Sequence, residues 1–176
     1  ERLQKELGMA IVIITHDLGV VAEMADDVAV MYAGRIVETA ATQILFSGPE
    51  HPYTWGLLRS IPTLSGPREE ELVPISGTPP SLINRPSGCH FHPRCRYAQP
   101  DHSRIDPRLE PIPQQPTHFV ACLLTAQVRQ RLWRELRNGR SPDEALAAAG
   151  VSGSDEVEDA TQLPPADAGL TTEEVA

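Results

Sequence analysis

The chain has 176 residues, a formal net charge of −9, 40% apolar residues and three cysteines. That is enough for one domain or two small ones. It excludes a membrane-spanning helix, because no apolar run approaches the roughly 20 residues one needs, and it excludes a disulfide framework, leaving a reduced setting in which Cys and His bind metal or stay free. Residues 151–176 carry seven acids and no base, so the remainder holds 17 acids against 15 bases and lacks the basic field that a nucleic-acid partner requires.

The opening ERLQKELG is neither a signal peptide nor an initiator methionine. It reads as the middle of a helix ended by Gly8, the pattern of a fragment. Ala10–Thr15, AIVIIT, is a continuous apolar and β-branched run, the composition of a strand buried on both faces of a parallel sheet. HDLGVVAEMAD reads as a helix with Leu18, Val21, Ala22 and Ala25 on one face. A strand DVAVMY, a turn at Gly34, a third strand and a short helix AATQILFSG ended by Gly48 follow. Residues 1–48 are therefore α/β in pattern.

Residues 49–116 contain 14 of the 17 prolines, which end helices and cannot donate to a ladder, so this stretch is expected to be loop-rich. Only HPYTWGLLRSI has a helical pattern, with Pro52 in its first turn. Trp55 and Leu58 are expected to anchor that helix, and Tyr53 and Tyr97 to pack. Residues 125–149 are helical again: Val128, Leu132 and Leu136 share one face, with Trp133 near it. SPDEALAAAG then opens with a capping box. The acidic tail from 150 on is expected to be disordered.

A histidine where a buried strand meets a helix stands at the carboxyl edge of a sheet, where open α/β folds bind ligands. The whole string Ile14-Thr15-His16-Asp17, then Asp27, Val30, Met31 and Gly34-Arg35-Ile36-Val37-Glu38 resembles the switch-histidine region of ATP-binding-cassette (ABC) ATPases. The resemblance implies that His16 is the catalytic switch residue contacting the ATP γ-phosphate. No G-x-x-x-x-G-K-[ST] phosphate loop, signature loop or Walker B carboxylate is present. The chain therefore reads as the C-terminal part of an ABC-type P-loop ATPase and is expected not to hydrolyse ATP alone.

Three further blocks, HPYTWGLLRSIP, ISGTPPSLINRPSGCHFHPRC and FVACLL, resemble in order the C-terminal extension of oligopeptide and dipeptide importer ATPases, shared in part by nickel importers. The implied organisation is the end of an ATPase domain over 1–48, the extension over 49–124, a helical segment over 125–149 and the tail over 150–176. The implied function is ATP- and Mg²⁺-dependent peptide import. The subunit would lie peripherally on the cytoplasmic face of the membrane, with a second ABC ATPase subunit and two membrane permeases, fed by an extracellular peptide-binding protein.

In that family the extension commonly carries four cysteines understood to hold an iron–sulfur cluster. Here three match, Cys89, Cys95 and Cys122, and the remaining position is His102, giving C-x5-C-x6-H-x19-C. Thiolates and imidazole suit an iron–sulfur cluster or zinc; an empty site lacking its fourth ligand is the other reading. His90 and His92 lie off the pattern and are expected to face solvent beside Arg94 and Arg96. A stand-alone metal- or cluster-binding regulatory module is the alternative to the ATPase subunit.

Overall fold

The structure, a computed structural model, describes residues 6–60 and 74–151. The acidic tail and most of the opening helix lie outside the described residues. Four strands form one sheet, β1 (Asp27–Tyr32), β2 (Arg35–Ala41), β3 (Glu110–Ile112) and β4 (Gln115–Val120), in the order β1-β2-β4-β3 with every pair antiparallel. Among the described residues, helices α1 (Leu18–Met24), α2 (Thr42–Ser47), α3 (Pro52–Arg59), α4 (Ala126–Arg137) and α5 (Pro142–Ala149) accompany it. The chain thus mixes helix and sheet, and no helix among the described residues is long and apolar enough to cross a membrane.

Local chemistry explains most of these elements. The β1–β2 hairpin turns on Ala33 (φ 45°) and Gly34 (φ 77°), the pair of positive dihedrals that a two-residue hairpin with right-handed strands demands. Helix α1 is capped by Asp17, whose carboxylate accepts from the amides of Gly19 at 2.8 Å and Val20 at 3.2 Å. Helix α3 begins on Pro52, whose missing N–H is no loss at that position. Helix α5 opens with the Ser141–Glu144 capping box and closes on Gly150 at φ 66°.

One expectation fails. Ala10–Thr15 forms no strand and is exposed, Val12 at 89% and Ile14 at 97%, because no strand among the described residues pairs with it or covers it. The face expected on α1 is correspondingly shallow, with no fully buried residue. The proline-rich stretch is loop-rich as expected over most of its described residues, and strand appears only at its end, in β3 and the start of β4. Its prolines sit where a ladder tolerates them: Pro111 on the edge strand β3, and Pro116 at the hairpin end of β4, outside the Phe119 and Val120 positions that pair with β2.

The core lies between the sheet and helices α2 to α5. Leu45, Trp55 and Leu132 are almost wholly enclosed, joined by Val30, Tyr32, Phe91, Tyr97, Leu136 and Ala145. Trp55 donates its indole N–H to the Pro49 carbonyl at 2.9 Å and meets the rings of Tyr97 and Trp133 at 5.4 and 6.4 Å. Tyr53 and Tyr97 pack as expected: Tyr53 lies against Tyr32 and Phe91.

Candidate functional site

His16 is exposed, in a bend directly before the Asp17 cap of α1. The helix start therefore has the local form that the sequence predicts, although the strand before it is not built.

The three cysteines arrive by two different routes. Cys89 and Cys95 lie on a run of tight turns, including a 3₁₀ turn at His92–Arg94, closed by local bonds: His92 N to Cys89 O at 3.0 Å, Cys95 N to His92 O at 3.2 Å and Ala98 N to Cys95 O at 3.0 Å. The run is tied to a second 3₁₀ turn, Pro100–Ser103, by Cys89 N donating to His102 O at 2.8 Å. Gly88 (φ 63°) passes so near that a Cβ there would lie 2.4 Å from the His102 carbonyl oxygen. Cys122, in contrast, follows β4 and comes to the other two through sheet pairing; Ala121 N donates to Val37 O at 2.8 Å.

Cys89 and Cys95 are buried in the core and Cys122 packs against it. Burial raises all three thiols, Cys95 well above its usual value and Cys122 to about 12; Cys95 is raised further by Cys122 and Cys89, and Cys122 by Cys89 and Glu38. The thiols are thus protonated and unreactive without a cation to stabilise the thiolate.

His102 is 4% exposed. Its Nδ1 lies 2.9 Å from the Gln99 amide and 3.2 Å from the Gln99 carbonyl, while its buried Nε2 has no hydrogen-bond partner. Burial is the main cause that lowers its pKa. In donor chemistry, three thiols and an imidazole suit zinc or iron–sulfur ligation. In arrangement, no group of three or more His, Cys, Asp or Glu among the described residues is set to hold a metal ion.

His90 and His92 do not face solvent. Both are half-buried, with Nδ1 of His90 3.3 Å from Ala33 O and Nδ1 of His92 2.9 Å from Cys89 O. Arg94 is spent on structure too, donating to the Ser76 and Ile75 carbonyls and to the Tyr32 hydroxyl. Polar turns need their backbone groups satisfied, and these side chains supply that.

The sequence reading missed a buried polar hub beside the thiols. Glu38, fully enclosed in mid-β2, accepts from Glu50 N at 2.6 Å, His51 N at 3.1 Å and Thr54 Oγ1 at 2.5 Å, and lies 2.7 Å from His118 Nε2. Glu50 in turn pairs with Arg129 of α4 at 2.6 Å, and Arg129 also donates to the Leu124 carbonyl. His51 is wholly buried; its Nδ1 accepts from Tyr53 N at 3.1 Å, and burial pulls its pKa down to about 4. One signal was present in the sequence: a carboxylate between Val37 and the apolar end of a strand has to find donors inside the fold.

Residues 37–101 match the family model described as the oligopeptide/dipeptide transporter, C-terminal region. The chain is 53% identical over 124 residues to the oligopeptide transport ATP-binding protein OppD of Bacillus subtilis, covering 69% of this chain and 34% of that relative. It is 50% identical over 107 residues to OppD of Haemophilus influenzae, covering 61% of this chain and 32% of the relative. To the dipeptide transport ATP-binding protein DppD of Caldanaerobacter subterraneus it is 49% identical over 98 residues, or 56% of this chain and 30% of the relative. The chain spans about a third of the length of these curated relatives. The resemblance to the C-terminal region of the oligopeptide and dipeptide transport ATP-binding subunits is borne out.

Proposed function

We propose that this chain is the C-terminal part of the ATP-binding subunit of an ABC importer that drives peptide uptake. The observation that carries the reading is the 53% identity over 124 residues to a peptide-transport ATP-binding protein. The whole subunit works from the cytoplasmic face of the membrane with a second ABC ATPase subunit and two permeases, using peptides supplied by an extracellular binding protein. Bound ATP and Mg²⁺ supply the phosphoryl group and the charge neutralisation of its transfer.

Within that subunit His16 acts as the switch residue. Its position before an Asp17-capped helix supports this, because the cap fixes the helix start and leaves the imidazole exposed to reach an anionic group. Ala10–Thr15 is read as a strand of the larger sheet, completed by the remainder of the ATPase domain. The 176-residue chain alone, without a phosphate loop, hydrolyses no ATP. In the full-length subunit, His16→Ala is expected to lower turnover on the order of 10²-fold while nucleotide binding is retained. Wild-type turnover in that variant removes the assignment.

A second component of the proposal is a soft-metal or iron–sulfur centre on Cys89, Cys95, His102 and Cys122. It is supported by the unpartnered, buried Nε2 of His102 and by three thiols sharing one buried neighbourhood. A bound centre would supply the cation that lets these desolvated thiols ionise. The side chains must close together to form it, since they are not so arranged as they stand. Metal analysis with a visible spectrum on anaerobically purified protein tests this: iron with sulfide, or zinc at one per chain, supports it, and His102→Ala is expected to lose the metal. Metal-binding chain without any ATPase partner would favour the stand-alone module.

A further inference from the structure

We infer that Glu38 is the positioning residue of the thiol pocket: it holds the segment 118–124, and with it Cys122, against Cys89 and Cys95. The inference deepens the thiol-site reading above and rests on it only for purpose, since its test needs no metal.

The segment around Cys122 has no turn structure of its own comparable to that around Cys89. Residues 121–125 fall in neither helix nor strand. Its tertiary bonds join it to β2 and to α4, beside a local contact of His118 Nδ1 with Gln115 Oε1 at 3.2 Å. His118 meets Glu38 at 2.7 Å, Ala121 N reaches Val37 O at 2.8 Å, and the Leu124 carbonyl accepts from Arg129. The ring of His51, whose backbone amide donates to Glu38, also bonds the Ala121 backbone.

These contacts converge on one carboxylate. Glu38 fixes His118 directly. Through the amides of Glu50 and His51 it fixes the start of α3. That in turn sets the Glu50 side chain that engages Arg129 at 2.6 Å. Cys122 therefore lies between two anchors, His118 and Leu124, that both lead back to Glu38. Cys89 and Cys95 do not depend on it, because the bonds within 89–98 and the Cys89–His102 backbone bond hold them. A carboxylate enclosed on all sides with its donors supplied by two segments, 50–54 and His118, loses its role entirely when its charge or its partner is removed, since the remaining groups are left desolvated and unpaired.

The test is residue-resolved alkylation of the native 176-residue chain with iodoacetamide, under reducing conditions with chelator, read by mass spectrometry at each cysteine. Glu38→Gln and His118→Leu are expected to raise the Cys122 labelling rate roughly tenfold or more, while Cys89 and Cys95 stay within about twofold of wild type. His118→Gln, which keeps a donor facing Glu38, is expected to restore slow labelling. If all three thiols accelerate together, Glu38 only stabilises the fold and the inference fails. It fails equally if Cys122 is unchanged in both variants. Should Glu38→Gln not fold, the His118→Leu and His118→Gln pair decides the matter alone. Absence of metal binding by the wild-type chain would overturn the metal reading and leave the labelling result intact.

Discussion

Ala10–Thr15 and β4 invert what their sequences lead one to expect. The first is AIVIIT, wholly apolar or β-branched, and it stands exposed without a strand partner. The second is QPTHFV, with a proline and a histidine, and it lies inside the sheet between β2 and β3. Composition measures how much a segment gains from a sheet, but the ladder exists only where a neighbour offers its backbone. β4 has two such neighbours and a buried carboxylate opposite its histidine; Ala10–Thr15 has neither.

The contrast is broken most forcefully at Glu38. Glu38→Ala leaves Glu50 N, His51 N, Thr54 and His118 without their acceptor, and a loss of about 3–5 kcal/mol in denaturant unfolding is expected. Leu132→Ala, a cavity in the core that β1, β2 and the helices share, is expected to cost about 2–5 kcal/mol in the same measurement.

Acid sharpens the comparison on the sheet side. The neutral His51 ring accepts from Tyr53 N, and its folded pKa is held near 4, below the unfolded value of 6.5. Between those values the unfolded chain binds the extra proton, so stability falls as the pH drops from 6.5 towards 4 and is level above 6.5. The shift sets the loss at roughly 3 kcal/mol, with His102, also lowered, acting in the same direction. Unfolding midpoints at neutral and mildly acid pH check this, and His51→Asn is expected to flatten the dependence.

Smaller effects follow at the periphery. Ser141→Ala removes the cap of α5 and is expected to cost about 0.5–2 kcal/mol. Val12→Ser, in the exposed run, is expected to shift stability by no more than about 0.5 kcal/mol, despite altering the most apolar stretch of the chain. A loss as large as that of Leu132→Ala would show that the run is buried in solution.

Where local chemistry decides, the sequence was legible. Pro52 and Ser141 mark helix starts and Gly48 a helix end that the structure reproduces, and Gly34 marks the hairpin. The run of Val128, Leu132 and Leu136 reads correctly as a face turned inward, with Leu132 and Leu136 buried. Long-range pairing was not legible. Proline content concealed β3 and β4, because nothing local tells that Pro111 occupies an edge. Glu38 stands in a motif that gives no sign of its burial, and His118 lies next to a proline-rich stretch that gives no sign of a strand. Their partnership spans the chain from β2 to β4, and neither residue alone announces it. The cysteine positions were visible as a set, whereas the route that returns Cys122 to the others depends on the unforeseen strand.

The approach of Gly88 to the His102 carbonyl makes residues 88–104 a clasped ring, fastened at its neck by the Cys89–His102 backbone bond and by Ser87 Oγ donating to Ser103 O at 2.8 Å. A ring fastened in that way fixes the number of residues it encloses more firmly than their identity. Exchanges at exposed positions such as Arg96 or Asp101 leave the neck untouched, while any insertion or deletion between Cys89 and His102 must either open the clasp or drive a bulge into the core that holds Phe91 and Tyr97. Gly88 itself admits no side chain. In this chain the ring therefore tolerates exchange of its exposed side chains far better than any change in its length.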